Sequence, residues 1–324
     1  LILLNRSENE TWRAGPLILR LHRQGYHTKP EIASELAWLT ALQDLPGLNT
    51  VRPIPGAQGL VTEIGSRFLV AFAPIQGQEL QPGDDLARWF APLGEITARL
   101  HLHARAWTPP QGFTRKRWDV ETILGPDPHW GHWRQAQGLD PQGATLLARA
   151  TDALAIKLHA YGTGPETFGL IHADLRLANL MVNGDRLTAI DFDDCCIGPR
   201  ALDVAAAVTD LVIDNRSLLQ MDPRQAFGSF LRGYLDAASE FDEQAGCLLD
   251  AFLWVTLIER CVTVRRTGIP DPAADARRRR GGACRCASRC ARARRDPRRR
   301  PGAVLPPRRS CPPPAAPGRR HRRG

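Results

Sequence analysis

The sequence predicts an α+β fold with two lobes, a small β-rich N-terminal lobe and a larger, mainly helical C-terminal lobe. Short apolar runs with strand character and one helical segment fill residues 1–76, which we assign to the N-lobe. Longer segments with apolar residues at helical spacing dominate residues 77–270, the predicted C-lobe. From residue 271 the composition changes abruptly to arginine and proline. Residues 271–324 therefore form a predicted disordered Arg/Pro-rich tail.

In the N-lobe, apolar runs alternate with polar turns. Residues 3–12 are typical of a strand, a turn and a strand, and residues 17–21 of a further strand. The segment 28–31, Thr-Lys-Pro-Glu, is typical of a helix start because proline is favoured in the first turn. The helix that follows should end before Pro46. Three further strand-like segments come next, at residues 51–55, 59–64 and 68–72.

The C-lobe prediction begins with a long amphipathic helix at about residues 85–105, which has one apolar face. Residues 108–142 are rich in proline, glycine and tryptophan and are predicted to form an insertion or a lid. A helix is expected from about 143 to 160. A polar loop and a strand that carries acidic residues follow, and two or three helices then extend to about residue 267.

The polar loop and the acidic strand contain the most informative motif. His172, Asp174 and Asn179 are followed, within the tetrapeptide Ile-Asp-Phe-Asp, by Asp191 and Asp193. Transfer of a phosphoryl group from Mg-ATP to a hydroxyl needs these residue types. One carboxylate takes the hydroxyl proton, while an amide and a second carboxylate hold the metal over the phosphates. The sequence has no P-loop and no Gly-x-Gly-x-x-Gly fingerprint that would indicate another nucleotide-binding fold.

His-x-Asp-x-x-x-x-Asn followed by Ile-Asp-Phe-Asp resembles the aminoglycoside phosphotransferase and choline kinase family. The wider pattern, over about residues 3–268, is also similar to stress response kinase A and to type II homoserine kinase-like proteins. The resemblance implies a bilobal protein-kinase-like fold, with ATP and Mg²⁺ as cofactors. Protein kinases carry Arg after the His and Gly after the Phe. Their absence here favours the branch that phosphorylates small molecules.

The resemblance also implies roles for the motif residues. Asp174 should be the catalytic base, and Asn179 and Asp191 should bind Mg²⁺, which prefers oxygen ligands. Asp193 is expected either to assist a second metal or to orient the acceptor. His172 should pack under the catalytic loop and hydrogen-bond the backbone rather than carry a proton.

On the phosphate-binding side, the chain departs from the family pattern. Arg20 stands on the strand where family members commonly carry lysine, and Glu35 on the next helix is its expected partner. Ser7 and Asn9 lie in the hairpin where protein kinases place a glycine-rich loop, but this hairpin has no glycine. We expect these four residues to form the nucleotide-binding side, with Glu35 acting as the partner of Arg20. The alternatives are a surface arginine, an ordinary helix glutamate and a plain polar turn.

Aromatic residues cluster in and around the insertion: Trp107, Trp118, Trp130 and Trp133. Together with nearby carboxylates they could bind a cationic acceptor through stacking and cation–π contacts. Alternatively, they form a small satellite core. The vicinal pair Cys195 and Cys196 directly follows the acidic segment, and buried structural cysteines are the favoured interpretation.

The charge is unevenly distributed along the chain. The tail holds 18 Arg and 3 Asp, a charge of +15, so the +9 of the whole chain leaves −6 for residues 1–270. A basic tail can bind nucleic acid or anionic membranes. We favour an out-of-frame product of a GC-rich gene, because lysine, glutamate and aromatic residues all disappear at one point. The first residue is Leu1 rather than methionine, which predicts that the natural start is missing.

These observations favour a cytoplasmic kinase for the hydroxyl of a small, amino-bearing metabolite. No apolar run is long enough to span a membrane. The cysteines of residues 1–270 show no metal-binding spacing, and we expect them to be reduced thiols in a cytoplasmic protein. Two alternatives remain open, a protein Ser/Thr kinase of the stress-response type and a nucleotide-binding pseudokinase. Nucleic acid is expected as a partner only through the tail, and the sequence makes no prediction of oligomeric state.

Overall fold

The computed structural model describes residues 1–6, 9–81, 84–129, 131–135, 139–209 and 223–238. The predicted disordered tail at 271–324 and the predicted helices beyond residue 238 lie outside these residues. Two candidate residues of the sequence analysis, Ser7 and Trp130, also lie outside them.

An antiparallel sheet forms most of the N-terminal region. Its six strands are β1 (Ile2–Arg6), β2 (Glu10–Ala14), β3 (Leu17–Leu21), β4 (Pro53–Ile54), β5 (Thr62–Ile64) and β6 (Arg67–Phe72). They are ordered β1-β2-β3-β6-β4, and β5 also pairs with β6. The predicted β-rich N-lobe is therefore confirmed, with β3 in the middle of the sheet.

One helix, α1 (Lys29–Leu42), packs against this sheet. Thr28 caps its N-terminus and forms a capping box with Glu31, and the proline lies in the first turn as predicted. The buried face of α1 carries apolar residues at helical spacing, and Glu35 lies on the same face with 0 % exposure. A carboxylate on the apolar face of a helix needs a buried partner.

The described part of the C-terminal region contains five helices: α2 (Phe90–Ala106), α3 (Val120–Leu124), α4 (Pro141–Tyr161), α5 (Arg200–Thr209) and α6 (Pro223–Ala237). A short 3₁₀ turn, Leu86–Trp89, leads into α2, so α2 and α4 correspond to the predicted helices at 85–105 and 143–160. Among the described helices, none is both long and apolar enough to cross a membrane.

Among the residues described after Phe72 there are also five short strands: β7 (Gln78–Glu79), β8 (Phe168–Ile171), β9 (Leu180–Asn183), β10 (Arg186–Ala189) and β11 (Cys196–Pro199). They form two small sheets, β10-β9-β7 and β11-β8. The prediction that Asp191 lies on a strand is wrong. Its φ of 62° is in the left-handed region, which a strand cannot accommodate, and it lies in the loop between β10 and β11.

Helices α2 and α6 cross at two glycines. A Cβ built on Gly94 would lie 2.0 Å from the carbonyl oxygen of Phe230, and one on Gly233 would lie 1.9 Å from that of Ala91. No other residue fits at either position without moving a helix. This close crossing fixes α6 against α2, and α2 in turn contacts β8, the strand that leads into the polar loop.

Candidate active site

Asp174 lies in the loop between β8 and β9, and two side chains orient it. Nε of Arg176 donates to Oδ1 at 3.0 Å, and Nδ2 of Asn179 donates to Oδ2 at 2.8 Å. The side chain of Asp174 is still 37 % exposed. It is therefore a carboxylate with a fixed orientation that a small molecule can reach.

Asp203, in the first turn of α5, holds the backbone that precedes this carboxylate. It accepts hydrogen bonds from the backbone N–H groups of His172 and Ala173, at 3.1 and 2.6 Å. Ala173 has a φ of 71°, an unfavourable value for alanine that these bonds help to maintain. Burial acts to raise the pKa of Asp203, but its hydrogen bond with His101 and the bond from Ala173 outweigh burial and lower it.

His172 joins the two loops of the motif. Its Nε2 donates to the carbonyl of Ile190 at 3.1 Å, and its Nδ1 lies 3.3 Å from the backbone N–H of Asp174. Burial lowers the pKa of His172, which favours the neutral ring. A second bond between the loops runs from the N–H of Ile190 to the carbonyl of Asn179 at 3.0 Å. His172 thus makes the backbone contact that the family resemblance implies.

Asp191 presents a carboxylate suited to a cation. Its side chain is 51 % exposed. Desolvation nevertheless raises its pKa to about 7, and the neighbouring carboxylates of Asp193 and Asp174 raise it further. The positive charge of Arg20 acts in the opposite direction. A bound cation would relieve this repulsion. Asn179 uses its Nδ2 to donate to Asp174, which leaves its Oδ1 as an acceptor. Both residues therefore offer oxygen atoms, the ligand type that Mg²⁺ prefers.

The predicted pair of Arg20 and Glu35 is present. Nη2 of Arg20 donates to Oε1 of Glu35 at 2.5 Å, and both side chains are buried. Nη1 of Arg20 lies 3.7 Å from Oδ1 of Asp191. Desolvation acts to lower the pKa of Arg20, but the charges of Glu35, Asp193 and Asp191 raise it above its ordinary value. One guanidinium therefore connects β3, α1 and the loop that carries Asp191.

Asp193 is buried and faces the N-terminal sheet. Its Oδ2 accepts from Nδ2 of Asn9 at 2.7 Å, and its Oδ1 lies 3.2 Å from Nδ1 of His22. Burial acts to raise the pKa of Asp193, but Arg20 and His22 hold it well below its usual range. Asn9 also accepts from the backbone N–H of Arg23 at 3.0 Å. The polar hairpin thus contacts the Ile-Asp-Phe-Asp segment through Asn9.

Some residues at this site were not identified from the sequence. His22 lies two positions after Arg20 in an extended segment, and this spacing, which places both side chains on one face, could have indicated it. His27 and Arg115 carry no such signal, because the fold brings them from a turn and from the insertion. Arg115 donates to the carbonyls of Asp193 and Cys195, both at 2.5 Å.

Two of the tryptophans of the insertion that the structure describes are buried and do not face an open site. Trp118 and Trp133 are only 4 % and 3 % exposed and belong to a hydrophobic cluster with Leu154 and Leu158 of α4. Trp107 packs against the main core. The hypothesis of a cationic acceptor site is wrong for Trp118 and Trp133, and the alternative of a satellite core is confirmed for both.

Residues 5–248 match the phosphotransferase enzyme family (APH). This match covers well over half of the chain. The protein belongs to the phosphotransferase enzyme family. A curated relative within it is amicoumacin kinase from Bacillus subtilis strain 168, which is 25 % identical over 186 residues, 55 % of this chain and 52 % of that protein. The chain thus spans about half the length of this relative.

Two solved structures show that the fold of this phosphotransferase family member is the predicted bilobal, kinase-like one. A microcompartment-associated aminopropanol kinase is 36 % identical, with a TM-score of 0.72, and the match covers 90 % of this chain and 92 % of that one. An amicoumacin kinase in complex with AMP-PNP and Ca²⁺ is 19 % identical, with a TM-score of 0.68 and coverage of 86 % and 85 %. At that identity, the second comparison shows the fold alone.

Proposed function

We propose that this protein transfers the γ-phosphate of ATP, with Mg²⁺, to a hydroxyl group of a small, amino-bearing metabolite. The observation that carries the proposal is the connected set Asp174, Asn179 and Asp191, placed on two loops that hydrogen-bond to each other. The 36 % identity to an aminopropanol kinase over 90 % of the chain supports an amino alcohol as acceptor. The negative charge of residues 1–270 favours the approach of a cationic molecule.

Asp174 acts as the base. It accepts the proton of the acceptor hydroxyl as the oxygen forms its bond to phosphorus and the bond to the leaving ADP oxygen breaks. The hydrogen bonds from Arg176 and Asn179 hold the carboxylate in one orientation. Geometric control of this kind is the main contribution that a protein can make to phosphoryl transfer, which has little covalent chemistry of its own.

Oδ1 of Asn179 and the carboxylate of Asp191 are the groups that would hold Mg²⁺. When bound, Mg²⁺ neutralises charge on the phosphates. Arg20 contributes a fixed positive charge beside Asp191, and Glu35 prevents that guanidinium from turning away. Asn9, in the hairpin between β1 and β2, donates a hydrogen bond to Asp193. This bond helps to hold the loop that carries Asp191. Ser7 stays a predicted nucleotide contact.

The test is transfer of labelled γ-phosphate from Mg-ATP to a panel of amino alcohols and to a fractionated cell extract. Asp174→Asn should lower kcat by about 10²–10⁴-fold while nucleotide binding persists. The matched control is Asp185→Asn, the same chemical change at a turn where the side chain is 93 % exposed. It should retain full activity.

Three results would speak against the proposal in different ways. Label in protein bands rather than in small molecules would indicate a protein kinase. ATP binding without transfer to any fraction would indicate a pseudokinase. Equal activity of Asp174→Asn and the parent protein would remove Asp174 as the base.

A further inference from the structure

Three buried side chains from different parts of the fold meet close to the loop that carries Asp191. His22 follows β3, Glu35 lies on α1, and Asp193 belongs to the loop between β10 and β11. Their exposed fractions are 2 %, 0 % and 5 %. Ionisable groups are rarely buried to this extent unless they are paired or coordinate a metal.

Several polar atoms of this cluster have no hydrogen-bond partner within the described part of the chain. They are both ring nitrogens of His22, Oε2 of Glu35 and Oδ1 of Asp193. Arg20 donates to the other oxygen of Glu35, Oε1, and reaches Oδ1 of Asp193 only at 3.9 Å. Asn9 donates to the other oxygen of Asp193, Oδ2. Each carboxylate therefore keeps one oxygen that a metal ion could bind.

The distances between these atoms also suit a shared ion. One ligand atom from each of His22, Glu35 and Asp193 lies within 4.8 Å of the other two. Nδ1 of His22 is 3.2 Å from Oδ1 of Asp193, but the pair lacks hydrogen-bond geometry. Two ligands at about 2.0–2.2 Å from a tetrahedral Zn²⁺ are roughly 3.4 Å apart. The Glu35 carboxylate lies within 4.8 Å of the other two groups and would have to move closer to complete the set.

We propose that His22, Glu35 and Asp193 bind one divalent transition-metal ion, and that Zn²⁺ fits best. Zn²⁺ commonly takes imidazole nitrogen and carboxylate oxygen together. Mg²⁺ is a poor match because it requires oxygen ligands in octahedral geometry. This site is separate from the pair Asn179 and Asp191 and does not depend on whether the protein transfers phosphate.

The local charge is compatible with such an ion. The four carboxylates of Glu35, Asp191, Asp193 and Asp194 lie near two guanidinium groups, those of Arg20 and Arg115, so a divalent ion would offset an excess of carboxylates. The competing arrangement places a proton on the imidazole instead of a metal. The ion would join β3 and α1 of the N-lobe to the loop of the C-lobe. It would thus serve as a structural link beside the active site.

A titration of the chelator-treated full-length protein tests this proposal. The four cysteines of the tail, Cys284, Cys286, Cys290 and Cys311, are replaced by serine beforehand, so that they do not compete for the metal. Zn²⁺ binding is measured by calorimetry in excess Mg²⁺, and Co²⁺ is used as a spectroscopic probe. The expected result is one equivalent of either ion and the visible absorption of four-coordinate Co²⁺ with nitrogen and oxygen ligands.

His22→Gln should weaken Zn²⁺ binding by more than about tenfold. The control His159→Gln changes an exposed histidine on α4 and should leave the affinity unchanged. Circular dichroism checks the fold of each variant, and Glu35→Gln replaces His22→Gln if the latter does not fold. Absence of stoichiometric binding to the parent protein, or equal affinity of parent and His22→Gln, would overturn the proposal.

Discussion

Nε2 of His101 lies 3.0 Å from Oδ2 of Asp203, and both side chains are buried. The other ring nitrogen of His101 lies 2.9 Å from the hydroxyl of Tyr234 on α6. Because Asp203 also accepts from the backbone of His172 and Ala173, a continuous set of hydrogen bonds connects α6 and α2 to the loop that carries the proposed base.

Replacing Asp203 should therefore lower both the free energy of unfolding and the rate of phosphoryl transfer. In Asp203→Asn, one carboxylate oxygen becomes an NH₂ group that cannot accept from either the backbone or His101. We expect the free energy of unfolding to fall by about 3 kcal/mol, measured by urea denaturation. Asp185→Asn, at an exposed turn, should change it by less than about 0.5 kcal/mol. A decrease of less than about 1 kcal/mol in the free energy of unfolding of Asp203→Asn would contradict a stabilising role for these hydrogen bonds.

The same carboxylate predicts a dependence of stability on pH. The pKa of Asp203 is lower in the folded protein than in the unfolded chain. Its contribution is thus fully present above the unfolded value, about 3.9, and is lost as the pH falls through the folded value. Urea titrations between pH 6 and pH 3 should show a steep loss of stability below about pH 4 in the parent protein. Asp203→Asn should show a shallower loss, and parallel curves would disprove this prediction.

Arg20 offers a test of the phosphate-binding side. Arg20→Lys keeps a positive charge near Glu35 and Asp191, so we expect catalysis to persist with a raised KM for ATP. Arg20→Met leaves Glu35 buried without a partner. It should lower the free energy of unfolding by about 3–5 kcal/mol and abolish phosphoryl transfer. Steady-state kinetics and urea denaturation of both variants distinguish a role in nucleotide binding from a purely structural one.

Cys195 and Cys196 should be chemically inert in the folded protein. Both are 0 % exposed, and burial raises the pKa of Cys195 to about 12 and that of Cys196 well above its usual range. Alkylation followed by peptide mass spectrometry should label these two positions roughly 10³-fold more slowly before urea is added than after. Rapid labelling of the native protein would show that this segment opens.

The glycines of helices α2 and α6 allow a matched comparison. Gly94→Ala would place a Cβ 2.0 Å from a carbonyl oxygen of α6 and should lower the free energy of unfolding by about 3 kcal/mol. Gly228→Ala, also helical, would find its nearest neighbour, an Arg232 side-chain atom, at 3.8 Å. It should stabilise the protein by about 0.5–1 kcal/mol. Thermal unfolding of both variants measures these changes in stability and tests whether α2 and α6 pack this closely.

Much of the fold could be predicted from local sequence, because strand and helix signals depend on neighbouring residues. The capping box at Thr28 and the apolar face of α2 are examples. The convergence of His22 and His27 on Asp193 could not be predicted, because it depends on how α1, β3 and a distant loop pack. Likewise, nothing local indicated that Asp191 adopts a left-handed conformation, and the sequence alone could not decide whether Trp118 joins a satellite core or faces a ligand.

The contact between Asn9 and Asp193 has a consequence for the speed of turnover. It joins the hairpin between β1 and β2 to the loop that carries Asp191, and a second bond joins the turn before α1 to the same loop, from the hydroxyl of Tyr26 to Asp194 at 2.6 Å. Any movement that separates these segments must first break both bonds. Under the proposed function, the frequency of their rupture would limit how often a product could leave between these segments.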